Sequence, residues 1–261
     1  MIQAPTRTRF NWRAFVMPAT LILVAELVAQ ATHLQSDSLA APSQIGIVGI
    51  YALFDGTLLS ASLETLWTAL AGMAIGGAVG LSAGILLGLV RIADRLMELS
   101  IEFVRPMPSV ALIPVGLLAF GFGYRMEIAI IAFATTWPML ILSRSAVTSI
   151  ETRLLEVGRA LGFSLLERIW KIILPAALPR LFLALRLSIG IALIVAVTVE
   201  IAANPLGLGH ALMAAQQSLR PALMFATLGW IGLIGWTINA SLVWAQLRLF
   251  GPAALTTDVQ P

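Results

Sequence analysis

The sequence predicts an all-α protein, a polytopic membrane helical bundle. It is expected to have about six transmembrane helices, one structured cytoplasmic loop and both termini in the cytoplasm. Three observations predict it. First, the 261-residue chain is 59% hydrophobic and only 11% charged, whereas soluble domains carry about 25% charged residues. Second, its apolar stretches number about six at roughly 20 residues per crossing. Third, its cations lie almost all on one side of those stretches. No lysine or arginine occurs between Arg13 and Arg91, so residues 34–61 are expected outside. Arg7, Arg9, Arg13, Arg91, Arg95, Arg105, Arg144, Arg186 and Arg248 fall inside with the cations of the loop, and only Arg125 and Arg220 fall outside. The pI near 10.2 thus reflects positive-inside topology, and no nucleic-acid partner is implied.

Residues 1–13 form a basic cytoplasmic tail. Residues 14–33 form the first span. Ala29-Gln30-Ala31 resembles a signal cleavage site, but the apolar run exceeds the 7–15 residues of a signal core. The second span, 62–90, carries Gly72, Gly76, Gly80, Gly84 and Gly88. Four-residue spacing puts them on one stripe, where another helix can approach closely; the alternative is a substrate groove. The third span, 106–124, is interrupted by Pro106, Pro108 and Pro114. Prolines free carbonyls that lipid cannot satisfy, so this span is expected inside the bundle. The remaining spans are 127–147, 182–203 and 222–247, followed by a disordered tail at 251–261.

The loop at about 150–176 is too polar to cross a bilayer. Leu154, Leu155, Val157 and Leu161 interleave with Arg153, Glu156 and Arg159, as in a short amphipathic helix. Gly162 ends that helix, and Ser164 with Glu167 forms a capping box for a second one. Ile169, Ile172 and Ile173 continue the second helix as far as Pro175. The product is helix, turn, helix, with an apolar side left to press against something.

Glu156, Gly162 and Ile172-x-Leu174-Pro175 stand at the offsets of the EAA loop. That loop resembles the one found in bacterial ABC-importer permeases of the type I fold. Val157 and Gly158 replace the usual alanines. Arg105-Pro106-Met107-Pro108 with Ala111…Pro114, Phe120-Gly121-Phe122-Gly123, and Glu200 with Gly207-Leu208-Gly209 are similar to the nitrate/sulfonate/taurine branch, so the resemblance covers about 60–250. It implies an inner-membrane permease subunit that imports a small, anionic solute. It also implies a second permease copy, two cytoplasmic ATPase subunits that bind the ATP, and a periplasmic solute-binding protein. Leu155, Glu156, Val157, Gly158, Gly162, Ile172, Leu174 and Pro175 would couple to the ATPase. Glu200, Asn204, Gly207 and Gly209 would belong to the substrate pathway or its gate.

Other classes find little support. There is no cysteine, and His33 and His210 are far apart, so no metal site or cofactor is expected. The only lysine, Lys171, follows no phosphate-cradling glycine loop, and no nucleophile–base set suggests an enzyme. An ion-gradient-driven secondary carrier is the runner-up, but only Glu26 reads as deep in a span. Glu26 bonds another helix, makes a subunit contact or is a protonated, satisfied carboxyl. Asn239 reads as a helix–helix hydrogen bond, and the tryptophans at 67, 137, 230, 236 and 244 as anchors and packing. Glu200 either lines the route or reaches interfacial water or backbone.

Overall fold

A computed structural model describes residues 13–32 and 36–251. Residues 1–12 with Arg7 and Arg9, residues 33–35 with His33, and the tail 252–261 lie outside the described residues, as do the side chains of Arg13, Ala14, Phe15, Thr152, Leu155 and Leu165. All regular structure among the described residues is helical: α1 Arg13–Ala31, α2 Pro42–Phe54, α3 Thr57–Leu89, α4 Arg91–Val104, a 3₁₀ turn Ser109–Leu112, α5 Ile113–Phe120, α6 Tyr124–Thr148, α7 Thr152–Ala160, α8 Leu165–Arg168, α9 Leu174–Ala202, α10 Gly207–Gln217 and α11 Pro221–Phe250.

Four helical segments are long and apolar enough to cross a membrane: Thr57–Leu89, Tyr124–Thr148, Leu166–Ala202 and Pro221–Phe250. The centre is α3, α6 and α9. Glycine explains how α3 and α6 come together. A Cβ built at Gly72, Gly76, Gly80, Gly84 or Gly88 would stand within 3.0 Å of α6 atoms, from Ile131 near one end to Val147 at the other. The stripe is therefore the packing surface, and the groove alternative is not realised. Thr136 adds a hydrogen bond across the seam to the Gly76 carbonyl at 3.3 Å. The same pairings show that α3 and α6 run parallel, while α9 runs antiparallel to both. Arg180 bonds Ser149 at one end of the α6–α9 pair, and Asn204 bonds Glu127 at the other. The first is the loop end of the bundle and the second its carboxylate end.

The structure departs from the sequence reading in four places. First, residues 34–61 hold an apolar helix, α2, and α3 starts at Thr57, where Asp55 accepts the Thr57 N–H at 2.8 Å. Glu26 ties α1 to this helix, accepting from the Ser43 N–H at 2.9 Å and the Ser43 hydroxyl at 2.8 Å. It is thus an interhelical bond at an N-terminus that needs acceptors. Second, the expected third span is not one helix. α4 and the Ser109–Phe120 segment are bent by 83° about Arg105–Pro108, because the two prolines cannot donate to a continuing helix. Third, α5 is not enclosed by the chain. Only Ile113 and Gly116 are buried, and Leu118 is 91% exposed, since α3, α6 and α9 already fill the centre. Fourth, Pro175 does not end the second loop helix. It lies inside a helix that runs unbroken from Leu166 to Ala202, and the irregular π turn Ile169–Ile173 directly before it accompanies the hydrogen bond its missing N–H cannot make.

The break in α4/α5 also relocates Arg105. Asp94 in α4 pairs with Arg144 near the loop end of α6 at 2.6 Å. One stage further on, Ile101 packs with Leu140 and Trp137. Arg105 then shares a cavity with Trp137, Pro138 and Ile191. Pro138 stands about eleven residues, roughly 16 Å at 1.5 Å per residue, from both Glu127 and Ser149. Arg105 therefore lies half-way along the bundle, not among the cations of the loop end.

Candidate functional site

At the loop end the sequence-predicted helix–turn–helix is present. α7 closes in a Schellman turn. The Phe163 N–H donates to the Gly158 carbonyl at 3.0 Å and the Gly162 N–H to the Arg159 carbonyl at 3.0 Å. Gly162 has φ +70°, a conformation glycine adopts at no steric cost. The capping box forms reciprocally. Glu167 Oε2 accepts from the Ser164 N–H and hydroxyl, both at 3.0 Å, and the Glu167 N–H donates to Ser164 Oγ at 3.3 Å. Lys171 adds a 2.9 Å ion pair to Glu167 and lies 4.6 Å from the Phe163 ring centre. Outside the bundle's apolar length, these donors hold the Glu167 carboxyl down at about 2, with Lys171 the largest cause and Ser164 next.

The two helices of the loop touch through Gly158. A Cβ there would stand 2.6 Å from Ile172 Cδ1, so the glycine that replaces the usual alanine lets the π turn pack close. Leu174 joins a small apolar cluster with Ala146, Ala177 and Leu181, which roots the loop in α6 and α9. Glu156 and Pro175 are exposed. Val157, Leu161, Leu166 and Trp170 are exposed as well, Trp170 by 67%. Large apolar side chains left uncovered on so polar a segment mark a surface for a partner. Leu155 belongs to α7.

The carboxylate end contrasts in every respect. α10 begins at Gly207 with φ +84°, and its first three amides need acceptors. Three side chains supply them. Glu64 Oε2 accepts from Gly207 N–H at 2.9 Å, Thr65 Oγ1 from Leu208 N–H at 2.9 Å, and Glu200 Oε2 from Gly209 N–H at 2.7 Å. Negative charge also suits a helix N-terminus. Glu127, 0% exposed, accepts on both oxygens, from the Thr68 hydroxyl at 2.5 Å and from Asn204 Nδ2. Glu200 and Asn204 are each 2% exposed. A Cβ on Gly207 would collide with the Glu200 carboxylate, and one on Gly209 with the Val197 carbonyl. The four predicted pathway residues therefore do come together, as a brace holding α10 against α3, α6 and α9. Glu200 does not reach interfacial water.

Sequence reasoning missed Glu64, Thr65, Thr68 and Glu127. A signal existed: Glu64 and Glu127 stand near the N-terminal ends of their apolar runs and Glu200 near the C-terminal end of its own, so a bundle with the third run reversed had to gather them. Nearby, Trp230 Nε1 donates to the buried Ser62 hydroxyl at 2.8 Å. Asn239 accepts from Arg186 Nε at 3.0 Å, the expected helix–helix bond. His210 is exposed on α10.

Comparison with known proteins places this geometry. Residues 76–251 match the family described as "Binding-protein-dependent transport system inner membrane component". The chain is 29% identical over 246 residues, 94% of its length and 87% of the relative's, to a putative aliphatic sulfonates transport permease protein of Bacillus subtilis. It is 32% identical to a putative ABC transporter permease protein of Methanocaldococcus jannaschii, over 78% of this chain and 75% of that one. It is 30% identical to a bicarbonate transport system permease protein of Synechococcus elongatus, over 67% and 63%. In shape it resembles an inward-facing MetNI methionine ABC transporter chain, with TM-score 0.64 at 20% identity over 71% of this chain and 93% of the other.

Proposed function

Because the chain belongs to the family of binding-protein-dependent transport system inner membrane components, we propose that it imports a small anion across the inner membrane as one of two identical permease copies. It is a membrane permease subunit with the type I importer fold, of a family not known for enzymes. Such permeases work with ATPase and binding-protein partners, and family membership favours ATP drive over an ion-gradient carrier. The anion class draws on the relatives named for aliphatic sulfonates and for bicarbonate. In this reading the permease domain is 60–250, the loop end and both termini face the cytoplasm, and the carboxylate end faces the periplasm. Two ATPase subunits bind the ATP, and the permease itself holds no cofactor.

The observation that carries the coupling assignment is the loop's construction. α7 and α8 are fixed to each other through Gly158 and Ile172 and joined without interruption to a spanning helix, yet they present uncovered apolar side chains. A helix gripped by a partner and continuous with a span moves that span as a rigid body. Glu156 and Val157, with Leu155, form the gripped turn. Gly162, Ile172, Leu174 and Pro175 transmit its movement into α9. Glu200, Asn204, Gly207 and Gly209 brace the periplasmic gate end.

The test is reconstitution in proteoliposomes. Uptake of bicarbonate or a short alkanesulfonate is expected only with ATP, the ATPase and the binding protein all present. Glu156→Arg or Gly162→Arg is expected to abolish it. Uptake by the permease alone, driven by an ion gradient, would overturn the reading.

A further inference from the structure

The mid-bundle break leaves one cation with nothing to do. Arg144 is paired with Asp94, Arg186 with Asn239 and Arg180 with Ser149. Among the described residues no carboxylate lies within ion-pair distance of Arg105. It is exposed in the single chain and half-way between the two ends, beyond the reach that lets an arginine near a helix end snorkel to the interface. A guanidinium at that depth facing lipid is costly, so it faces protein or a water-filled route.

The surroundings say which. Arg105 lines a cavity of about 510 Å³ with Ser109, Trp137, Met107, Phe133 and Ile191, and no aspartate or glutamate borders it. Its polar side chains are donors: the guanidinium, the Ser109 hydroxyl and the Trp137 indole N–H. That N–H is buried and bonds no acceptor. A buried donor without an acceptor is rare in a folded protein, and here it belongs to a residue that shares a cavity wall with an unneutralised cation. The pocket thus offers an unneutralised guanidinium and a hydroxyl among apolar side chains, which is the composition of a small-ligand site.

We propose that Arg105, with Trp137 and Ser109, forms a mid-membrane station for the transported anion, a compact oxyanion such as a carboxylate or sulfonate headgroup. This rests on the anion-import reading and adds a site to it. A guanidinium offers a planar fork to such a group, and the Ser109 hydroxyl supplies a further donor. The α4/α5 break is then the opening through which Arg105 reaches the route, since irregular backbone at membrane depth survives where it lines a cavity. The competing explanation is that Arg105 merely complements the C-terminal dipole of α4.

The chain contains no cysteine, so Ser109→Cys introduces a single thiol beside an intact Arg105. In the assembled transporter, both nucleotide-free and trapped with ATP and vanadate, the thiol is titrated with two reagents. One is the anionic sulfonatoethyl methanethiosulfonate and the other its cationic trimethylammonium counterpart. The anionic reagent is expected to react at least about tenfold faster, the enrichment a focused positive potential gives. Adding Arg105→Gln removes the preference, and adding Arg105→Lys keeps it. On the otherwise unaltered chain, Arg105→Gln is expected to cut uptake by about tenfold or more, with binding-protein-stimulated ATP hydrolysis retained.

A thiol unreactive in both states, equal rates for the two reagents, or a preference that survives Arg105→Gln would overturn the station. A pure dipole role predicts instead that Arg105→Gln imports as well as the unaltered chain, and that result too would overturn the station. Failure of the ATP-driven reading shows separately, as unaltered chain that imports without ATPase, and leaves the labelling result standing.

Discussion

The two ends of this bundle use the same few residue types to opposite purposes. At the loop end Glu156, Glu167, Arg159 and Lys171 stand in or near solvent, the hydrogen bonds are local in sequence, and large apolar side chains are uncovered. At the carboxylate end Glu127 and Glu200 are buried, and their bonds join α3, α6, α9 and α10, residues far apart in the chain. The first arrangement leaves interaction capacity unspent for another protein. The second spends it within the chain. Exposed polar pairs contribute little stability, whereas losing one partner of a buried set leaves its neighbours unsatisfied. Stability should therefore reside at one end and coupling at the other, with the α3–α6 seam as the shaft between them.

The largest expected effect is on that shaft. Gly80→Leu pushes a branched side chain into the Thr136 carbonyl and the Met139 Cβ, where neither backbone can retreat. Overpacking commonly costs about 1–3 kcal/mol, and more against rigid backbone, so no folded protein should be recovered on size-exclusion chromatography in detergent. Normal recovery would mean the two helices can separate, and the ends would then not be mechanically joined.

Next comes Glu127. Its replacement by alanine leaves the Asn204 amide buried without an acceptor, at about 1–3 kcal/mol, while the Thr68 hydroxyl keeps the Thr65 carbonyl at 3.0 Å. Glu127→Gln should be far milder. The Asn204 Oδ1 has no donor, so a flip of the Asn204 amide lets it accept from the new glutamine. Unfolding curves in mixed detergent check both. Equal losses for the two variants would show that charge, not hydrogen bonding, holds α10.

Glu156→Arg sharpens the contrast from the other side. Glu156 is exposed and makes no ion pair among the described residues, so the unfolding midpoint should stay within the ±0.5 kcal/mol typical of surface changes, while ATP-driven uptake falls below detection. A variant that lost stability and uptake together would remove the distinction between the ends.

How much of this was legible in the sequence follows from where the signal lives. The loop was readable because its devices are local. Gly162 needs its own positive φ, and Ser164 and Glu167 are three residues apart. The glycine stripe was readable because four-residue spacing defines a face before its partner is known. The broken span was half readable: Pro106 and Pro108 announced irregularity, but the depth of Arg105 depends on how far α4 climbs beside α6, which no local pattern encodes. Charge counting placed Arg105 with the loop cations because it assumes that arginines avoid the middle of the membrane, an assumption that fails where a cavity meets them. The brace was hidden for a related reason. Glu127 looks like an ordinary first-turn acid, and only the convergence of α3, α6 and α9 makes it a neighbour of Asn204.

The smallest expected effect tests whether the loop needs its own order. Ser164→Ala removes the hydroxyl from both halves of the capping box, a loss of about 1 kcal/mol at a typical helix start, and leaves Lys171 paired with Glu167. Docking on a partner restores much of that order, so uptake should fall by about twofold, less than the roughly fivefold that 1 kcal/mol allows in full. Because the Glu167 carboxyl titrates at about 2, below its ordinary 4.5, its contribution is complete above about pH 5 and fades only as the pH falls toward 2. The Ser164→Ala deficit should thus be the same at pH 6 and pH 8. A deficit that changed across that interval would point to a different titrating group at the docking surface. Absence of any deficit would mean that the partner, not the permease, folds the start of α8.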